Sequence, residues 1–347
     1  MELIKQMLPA PLHGGFHMDG YWIWCGSAIK GEDGNYHLFA SRWSKEQPMH
    51  PGWLFGSEIV RAVSSCPEGP YEFEEVVLSN RGHQYWDGMA VHNPYITKWG
   101  DSYLLYYIGT TWPFPKPAGD DIVAINDIRT DVARANKRIG LAWSNSIRGP
   151  WHRLNEPILK PRPDYFDNLY VSNPSPCFGA DGSVNLLYKC VGVRSNPDVP
   201  GGHIHGSMQF GLACASRWNG LYAPVLDRPI FPDGYAMEDP FLWRDQTGFH
   251  MIAKDMTGRL CGEKYGGVYA HSENCINWSV EEGKLAYSRR VLFDDGIIRT
   301  LGNLDRPFIL FEHGKPRCMF FAASNGTDSF LDATDTWNQT IPLVWNP

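Results

Sequence analysis

The chain is a series of short apolar, aromatic-rich runs broken by turns that contain Gly, Pro, Asn and Asp, and the series repeats. One phrase is a turn, a strand, a Gly-containing turn and a second strand. It occurs at His92-Asn93-Pro94-Tyr95-Ile96 with Ser102–Tyr107, and again at Ser172-Asn173-Pro174-Ser175-Pro176 with Val184–Tyr188. It returns at Glu238-Asp239-Pro240-Phe241-Leu242 with Gly248–Ala253, and at Asp305-Arg306-Pro307-Phe308-Ile309 with Cys318–Ala322. A copy without the proline opens the chain at Asp19-Gly20-Tyr21-Trp22-Ile23-Trp24 and runs on through Tyr36–Ala40. A second phrase follows the first four copies, at Ile59–Ser65, Ile139–Ser144, Phe210–Ser216 and Gly267–Ser272. Its sequel is Gly69-Pro70-Tyr71 in one copy and Gly149-Pro150-Trp151 in the next.

Each unit therefore holds four short strands, and five units over 347 residues average about seventy residues each. The pattern predicts an all-β chain, a single five-bladed β-propeller of four-stranded antiparallel blades around a central channel. The blades fall near 16–80, 85–160, 168–232, 235–290 and 300–347. A β-sandwich or a pair of unrelated β domains gives no reason for the five-fold recurrence. A helix is expected only near Ile125–Ala135, inside a long insertion.

In a propeller the first strand of each blade lines the channel, so the residues that open the five first strands converge at one end. The connections between second and third strands emerge on that same face. They are long: Ser44–Gly56, Thr110–Arg138, Gly192–Gln209 and Met256–Gly266. Long loops on one face of a rigid scaffold are where sites are built. The candidates are Asp19, Asn93 with Asp87 and His92 before it, Asn173, Glu238 with Asp239, and Asp305 with Arg306. An Asn or Asp before proline also starts a strand by turn geometry alone. Glu238 has no such turn preference.

Composition narrows the ligand. The net charge of −7 argues against nucleic acid, whose phosphates need a basic surface. No apolar run reaches the ~18 residues of a membrane span. Fourteen Trp favour a carbohydrate, because flat rings suit the C–H faces of sugars, although most such rings fill cores. The eight cysteines show no CxxC or zinc spacing and read as small buried hydrophobes. No signal peptide is visible at Met1–Pro9, so the cytoplasm is the default location, and the periplasm or exterior applies if a leader was removed. The Gly201-Gly202-His203-Ile204-His205 run has two His without a third ligand, which is weak evidence for a metal.

On these motifs the chain resembles the five-bladed glycoside hydrolases of family 43 and its relatives, families 32, 62 and 117. The resemblance covers nearly the whole chain as architecture. It implies an inverting hydrolase of plant or algal oligosaccharides, in which Asp19 of His17-Met18-Asp19-Gly20 is the general base, while the bulky loops suggest a closed pocket and hence exo action. Glu238 of Met237-Glu238-Asp239-Pro240 is then the general acid. That pair predicts carboxyl groups about 6.5–9.5 Å apart, whereas a gap near 5 Å points to a retaining enzyme. The third-blade position, an Asp in the family, is Asn173, which keeps hydrogen bonding but lacks the charge that tunes the acid. Asp239, Asp87 or Asp167 would supply that charge.

Substrate contacts are expected from Trp24, Trp112, Asp87, His92, Asn93, His205, Asp239 and Arg306, with Trp22 and Trp86 as further platforms. Arg306 fits either a substrate carboxylate or a structural pairing with Asp305. No cofactor is required, and family analogy allows a Ca or Na ion in the channel. The partner is an oligosaccharide, and oligomeric state is left open. Two other classes compete: a non-catalytic glycan-binding propeller, favoured by Asn173, and a glycoside phosphorylase using Arg42, Lys254, Arg259 and Arg306 on phosphate.

Overall fold

The structure is a computed structural model that describes residues 3–195 and 203–344. Five antiparallel sheets surround a central axis. The first four have four strands each, in sequence order from the axis outward. Their inner strands are Tyr21–Lys30, Ala90–Trp99, Tyr170–Phe178 and Met237–Asp245. The fifth sheet has three strands, Asn303–Glu312, Lys315–Ser324 and Thr336–Pro342.

The outer edge of that fifth sheet is met by the N-terminal segment. Phe16 and Asn338 exchange backbone hydrogen bonds at 3.0 and 2.8 Å, and Leu8 N–H donates to the Pro342 carbonyl at 2.9 Å. The two ends of the chain thus close the ring, and a sheet edge that would otherwise be open is paired.

Every inner strand carries a β-bulge near its start, where the register shifts against the second strand. At each bulge one residue turns to positive φ: Cys25, Asn93, Asn173, Asp239 and Arg306, with values from 50 to 61°. Asn and Asp tolerate this left-handed region best, because their short polar side chains bond locally. Proline follows in four blades, where the bulge leaves a backbone position outside the ladder. In blade one Gly26 follows instead. Asn338 Nδ2 donates to the Cys25 carbonyl at 2.9 Å, and a Cβ on Gly26 would lie 1.9 Å from that nitrogen.

The residues just past the bulges close the axis. Tyr95, Phe241 and Phe308 meet with ring centroids 5.1–5.9 Å apart. Ser27 and Ser175 complete this layer by bonding neighbouring inner-strand backbone. An aromatic layer thus crosses the axis beneath the bulges.

The helix expected in the insertion forms at Ile128–Ala135, with Asp127 capping the Arg129 N–H at 2.9 Å. No described helix is long and apolar enough to cross a membrane.

Candidate functional site at the propeller mouth

The five bulge residues touch one another around the axis. Cys25 Sγ donates to Asn93 Oδ1 at 2.8 Å, and Asn93 Nδ2 donates to Asn173 Oδ1 at 2.6 Å. Asn173 Nδ2 donates to Asp239 Oδ1 at 2.5 Å. Arg306 reaches the same Asp239 oxygen at 3.4 Å, and its charge also acts on the Cys25 thiol. One residue from each blade thus joins a polar ring around the axis, hydrogen-bonded from Cys25 through to Arg306. Burial pushes the Cys25 thiol up to about 12, although Arg306 opposes the shift, so it is held as a neutral donor.

Above the ring lies a cavity of about 320 Å³, at the small end of the range for ligand pockets. Its floor is Asn93, Asn173, Asp239 and Arg306 of the ring with His92, Glu238 and Asp305. Its walls come from the ends of the second strands and from the long loops: Trp43, His50, Trp53, Lys137, Lys189, Lys254 and Phe330 among others. Trp53 stacks on His92 at 4.6 Å, and Trp24 meets Phe330 edge-on at 6.1 Å. A larger hollow of about 530 Å³ lies on the opposite face, at the turns around Asp245 and Gly314, and gathers no comparable set of charged groups.

Glu238 accepts from the ammonium groups of Lys189 and Lys254, the latter at 2.9 Å. Burial alone would raise its carboxyl, but the two lysines outweigh burial and hold it well below the usual carboxylate range. Lys254 also donates to Asp305 Oδ2 at 2.7 Å and lies 3.7 Å from Asp239. Asp305 goes the other way: burial first, then the neighbouring carboxylates, push it up to about 6 against the pull of Lys254. Its Oδ1 is buried and has no partner among the described residues. One pocket therefore holds two carboxyls shifted in opposite directions, Glu238 down and Asp305 up.

Sequence reasoning placed Trp24, His92, Asn93, Asn173, Glu238, Asp239, Asp305 and Arg306 at this mouth, and all eight line the cavity. Asp19 does not. It lies on an exposed turn, its nearest partner being His17 at 3.8 Å, and the bulge position of blade one belongs to Cys25. Asp87 is fully buried away from the cavity, bound by Arg81 at 2.6 Å, Tyr107 at 2.7 Å and Arg153 at 3.5 Å. Asp167 repeats this arrangement in blade three with Arg162 and Tyr188, so both acids lock their blades. Trp112 is core, packed on Phe55 and Phe114. His205 is exposed on the hairpin Val193–Ser195 and His203–His205; Gly201 and Gly202 lie outside the described residues. Arg306 pairs with Asp239 rather than with Asp305.

The sequence reading missed Lys189, Lys137, His50 and Trp53. Lys189 had a signal: a lysine inside the apolar run Leu186-Leu187-Tyr188-Lys189-Cys190 must find a buried partner. Among the described residues no cluster of His, Cys, Asp and Glu is arranged for a metal. The carboxylates that an ion in the channel would need already surround the ammonium of Lys254, so they do not fit one.

The fold is the five-bladed propeller of glycoside hydrolase families 43 and 117. The chain is similar to a family 117 glycoside hydrolase of the marine bacterium Zobellia galactanivorans (TM-score 0.68, 15% identity, 98% of this chain and 91% of that one). It is also similar to the arabinanase Arb43A of Bacillus subtilis (TM-score 0.56, 13% identity, 96% and 97%). A β-xylosidase/α-arabinofuranosidase of family 43 from a compost microbial metagenome, solved with xylotriose, gives a TM-score of 0.58 at 14% identity (98% and 96%). These identities speak for the shared fold. No protein-family profile matches the chain, and no curated protein does.

Proposed function

We propose that the chain is a glycoside hydrolase that takes the end of a glycan into the closed mouth of the propeller. The observation that carries this reading is the pair Glu238 and Asp305, two carboxyls of opposite protonation tendency in one aromatic-walled cavity. Single displacement through Asp19 is set aside, because Asp19 does not reach the cavity. Glu238 and Asp305 each bond the same Lys254 ammonium, at 2.9 and 2.7 Å. Sharing one ammonium brings the facing oxygens of the pair to less than the sum of those two distances, which supports double displacement, the mode of carboxyls about 5–5.5 Å apart, over the about 6.5–9.5 Å that leaves room for water.

In this mechanism the Asp305 carboxyl gives its proton to the leaving glycosidic oxygen as the Glu238 carboxylate attacks the anomeric carbon. The glycosidic bond breaks and a glycosyl ester forms. Asp305, now ionised, takes a proton from water, and that water cleaves the ester and frees Glu238. His50 is held down to about 4, by burial first and then by Arg134 and Lys137, so it is neutral and acts only as a hydrogen-bonding wall.

A second reading, a propeller that binds a glycan without cleaving it, is favoured by one observation. Cys25 and Asn173 stand at the blade-one and blade-three bulges, and neither brings a charge. The test is hydrolysis of aryl glycosides and of plant and algal oligosaccharides by the wild type and Glu238→Gln, with binding and thermal melting followed in parallel. Turnover that collapses by about 10³-fold in a folded variant supports the hydrolase. Binding without turnover by the wild type supports the second reading.

A further inference from the structure

The cavity is not evenly charged. Near its floor Lys189 and Lys254 meet Glu238, Asp239 and Asp305, and Arg306 meets Asp239, so cations and carboxylates face one another. The wall built by the insertion of blade two is different. Lys137 follows the helix Ile128–Ala135, lines the cavity and is only 3% exposed. Its ammonium lies 3.7 Å from the Tyr170 ring centroid and 5.5 Å from that of Trp53. No carboxylate lies within ion-pair distance of it among the described residues. Arg134, on the same wall, reaches His50 at 3.4 Å, and its nearest acid is Asp131 on its own helix at 4.0 Å.

A buried ammonium is costly unless a charge of opposite sign meets it. Aromatic faces compensate only in part. Burial, then Lys189 and Arg134, pull Lys137 well below the ordinary lysine range, and an anion beside it would favour its charged form. Lysines elsewhere in the same cavity have their carboxylates. Lys137 has none among the described residues, Arg134 has only the distant Asp131 of its own helix, and both line the space that a ligand would fill.

We infer that the cavity is built for an acidic glycan, whose sugar-borne oxyanion, a uronate carboxylate or a sulfate ester, sits against Lys137 and Arg134. This rests on the hydrolase or glycan-binding reading of the same pocket. The sugar ring would lie between Trp24, Trp53 and Phe330, its anionic substituent turned toward the blade-two wall and its anomeric carbon toward Glu238.

The experiment is calorimetric titration of xylotriose, a trigalacturonate and a sulfated galactobiose into the wild type, Lys137→Met and Lys137→Arg, each checked for folding by thermal melting. The expected result is that at least one acidic glycan binds the wild type tenfold or more tighter than xylotriose. That ratio falls towards one in Lys137→Met and is kept in Lys137→Arg, and the preferred glycan separates the carboxylate from the sulfate source. Equal binding of acidic and neutral glycans overturns the inference while leaving the glycan reading intact. So does a preference that survives Lys137→Met. Failure of every glycan to bind the folded wild type overturns both. Turnover that requires inorganic phosphate, and loses this requirement in Lys137→Met, overturns the sugar-borne assignment by making the anion a free co-substrate.

Discussion

Asn93 Nδ2 donates to Asn173 Oδ1 at 2.6 Å across the axis of the propeller, joining blade two to blade three. Asn173 passes the chain of bonds to Asp239 at 2.5 Å and also accepts from Ser172 Oγ at 2.6 Å. Asn173 is thus a structural link, and an amide suits it better than an acid: it must donate on one side and accept on the other. A buried ring of this kind is stabilising only while every member is satisfied.

Asn173→Ala leaves Asn93 and Asp239 short of partners and puts alanine at φ 50°. It is expected to destabilise the fold by about 2–4 kcal/mol, read as a lower midpoint in urea unfolding. Asn173→Asp places a second carboxyl against Asp239. Like charge and burial hold its folded pKa above the unfolded value of about 3.9, so its native state binds the proton more tightly. The deficit relative to wild type should be small below about pH 4 and should grow as pH rises through the folded value. A deficit independent of pH contradicts this.

Asp19 is expected to be dispensable. Asp19→Asn should change stability by no more than about 0.5 kcal/mol, as for an ordinary surface position, and turnover by less than about twofold. Steady-state kinetics checks it. A loss of tenfold or more would bring Asp19 back to the chemistry.

Asp305 sets a pH limb. Its carboxyl is pushed up to about 6, so the protonated acid is lost as pH rises through that value, and kcat/KM should fall on the alkaline side. Asp305→Asn should lower kcat by about 10²–10⁴-fold and flatten the limb. The same shift makes the contribution of Asp305 to stability largest below about pH 4 and lost as pH rises through about 6.

Asp87 should behave as a blade lock rather than a ligand. Asp87→Asn breaks a buried pair with Arg81 and Arg153 and is expected to cost about 3–5 kcal/mol. Chemical denaturation measures that loss. Unchanged stability with weakened glycan binding would instead place Asp87 at the site.

The propeller was legible because its turn chemistry and apolar strands recur, and because Asn-Pro, Asp-Pro and Arg-Pro mark the bulges in four blades. Glu238, Asp239, His92 and Asn93 followed from their place at the start of inner strands. The bulge of blade one is not marked in the sequence because it has no proline: Gly26 makes room for Asn338 there, and the Asp-Gly turn just before that strand lies six residues upstream, at Asp19. Lys137, His50 and Trp53 lie in loops that differ between blades, so no repeat gives their register. Their meeting depends on tertiary packing, seen in the stack of Trp53 on His92. The loss of a fourth strand in blade five was also hidden, since the segment that borders it comes from the other end of the chain.

The most direct measurement is proton NMR of the sugar first released from a substrate the wild type cleaves, taken before the anomers equilibrate. Glu238 and Asp305, held at one ammonium, predict that the product keeps the anomeric configuration of the substrate and that Glu238→Gln releases none. An inverted first product, or a glycan that stays bound and uncleaved, would contradict this pair as the working carboxyls.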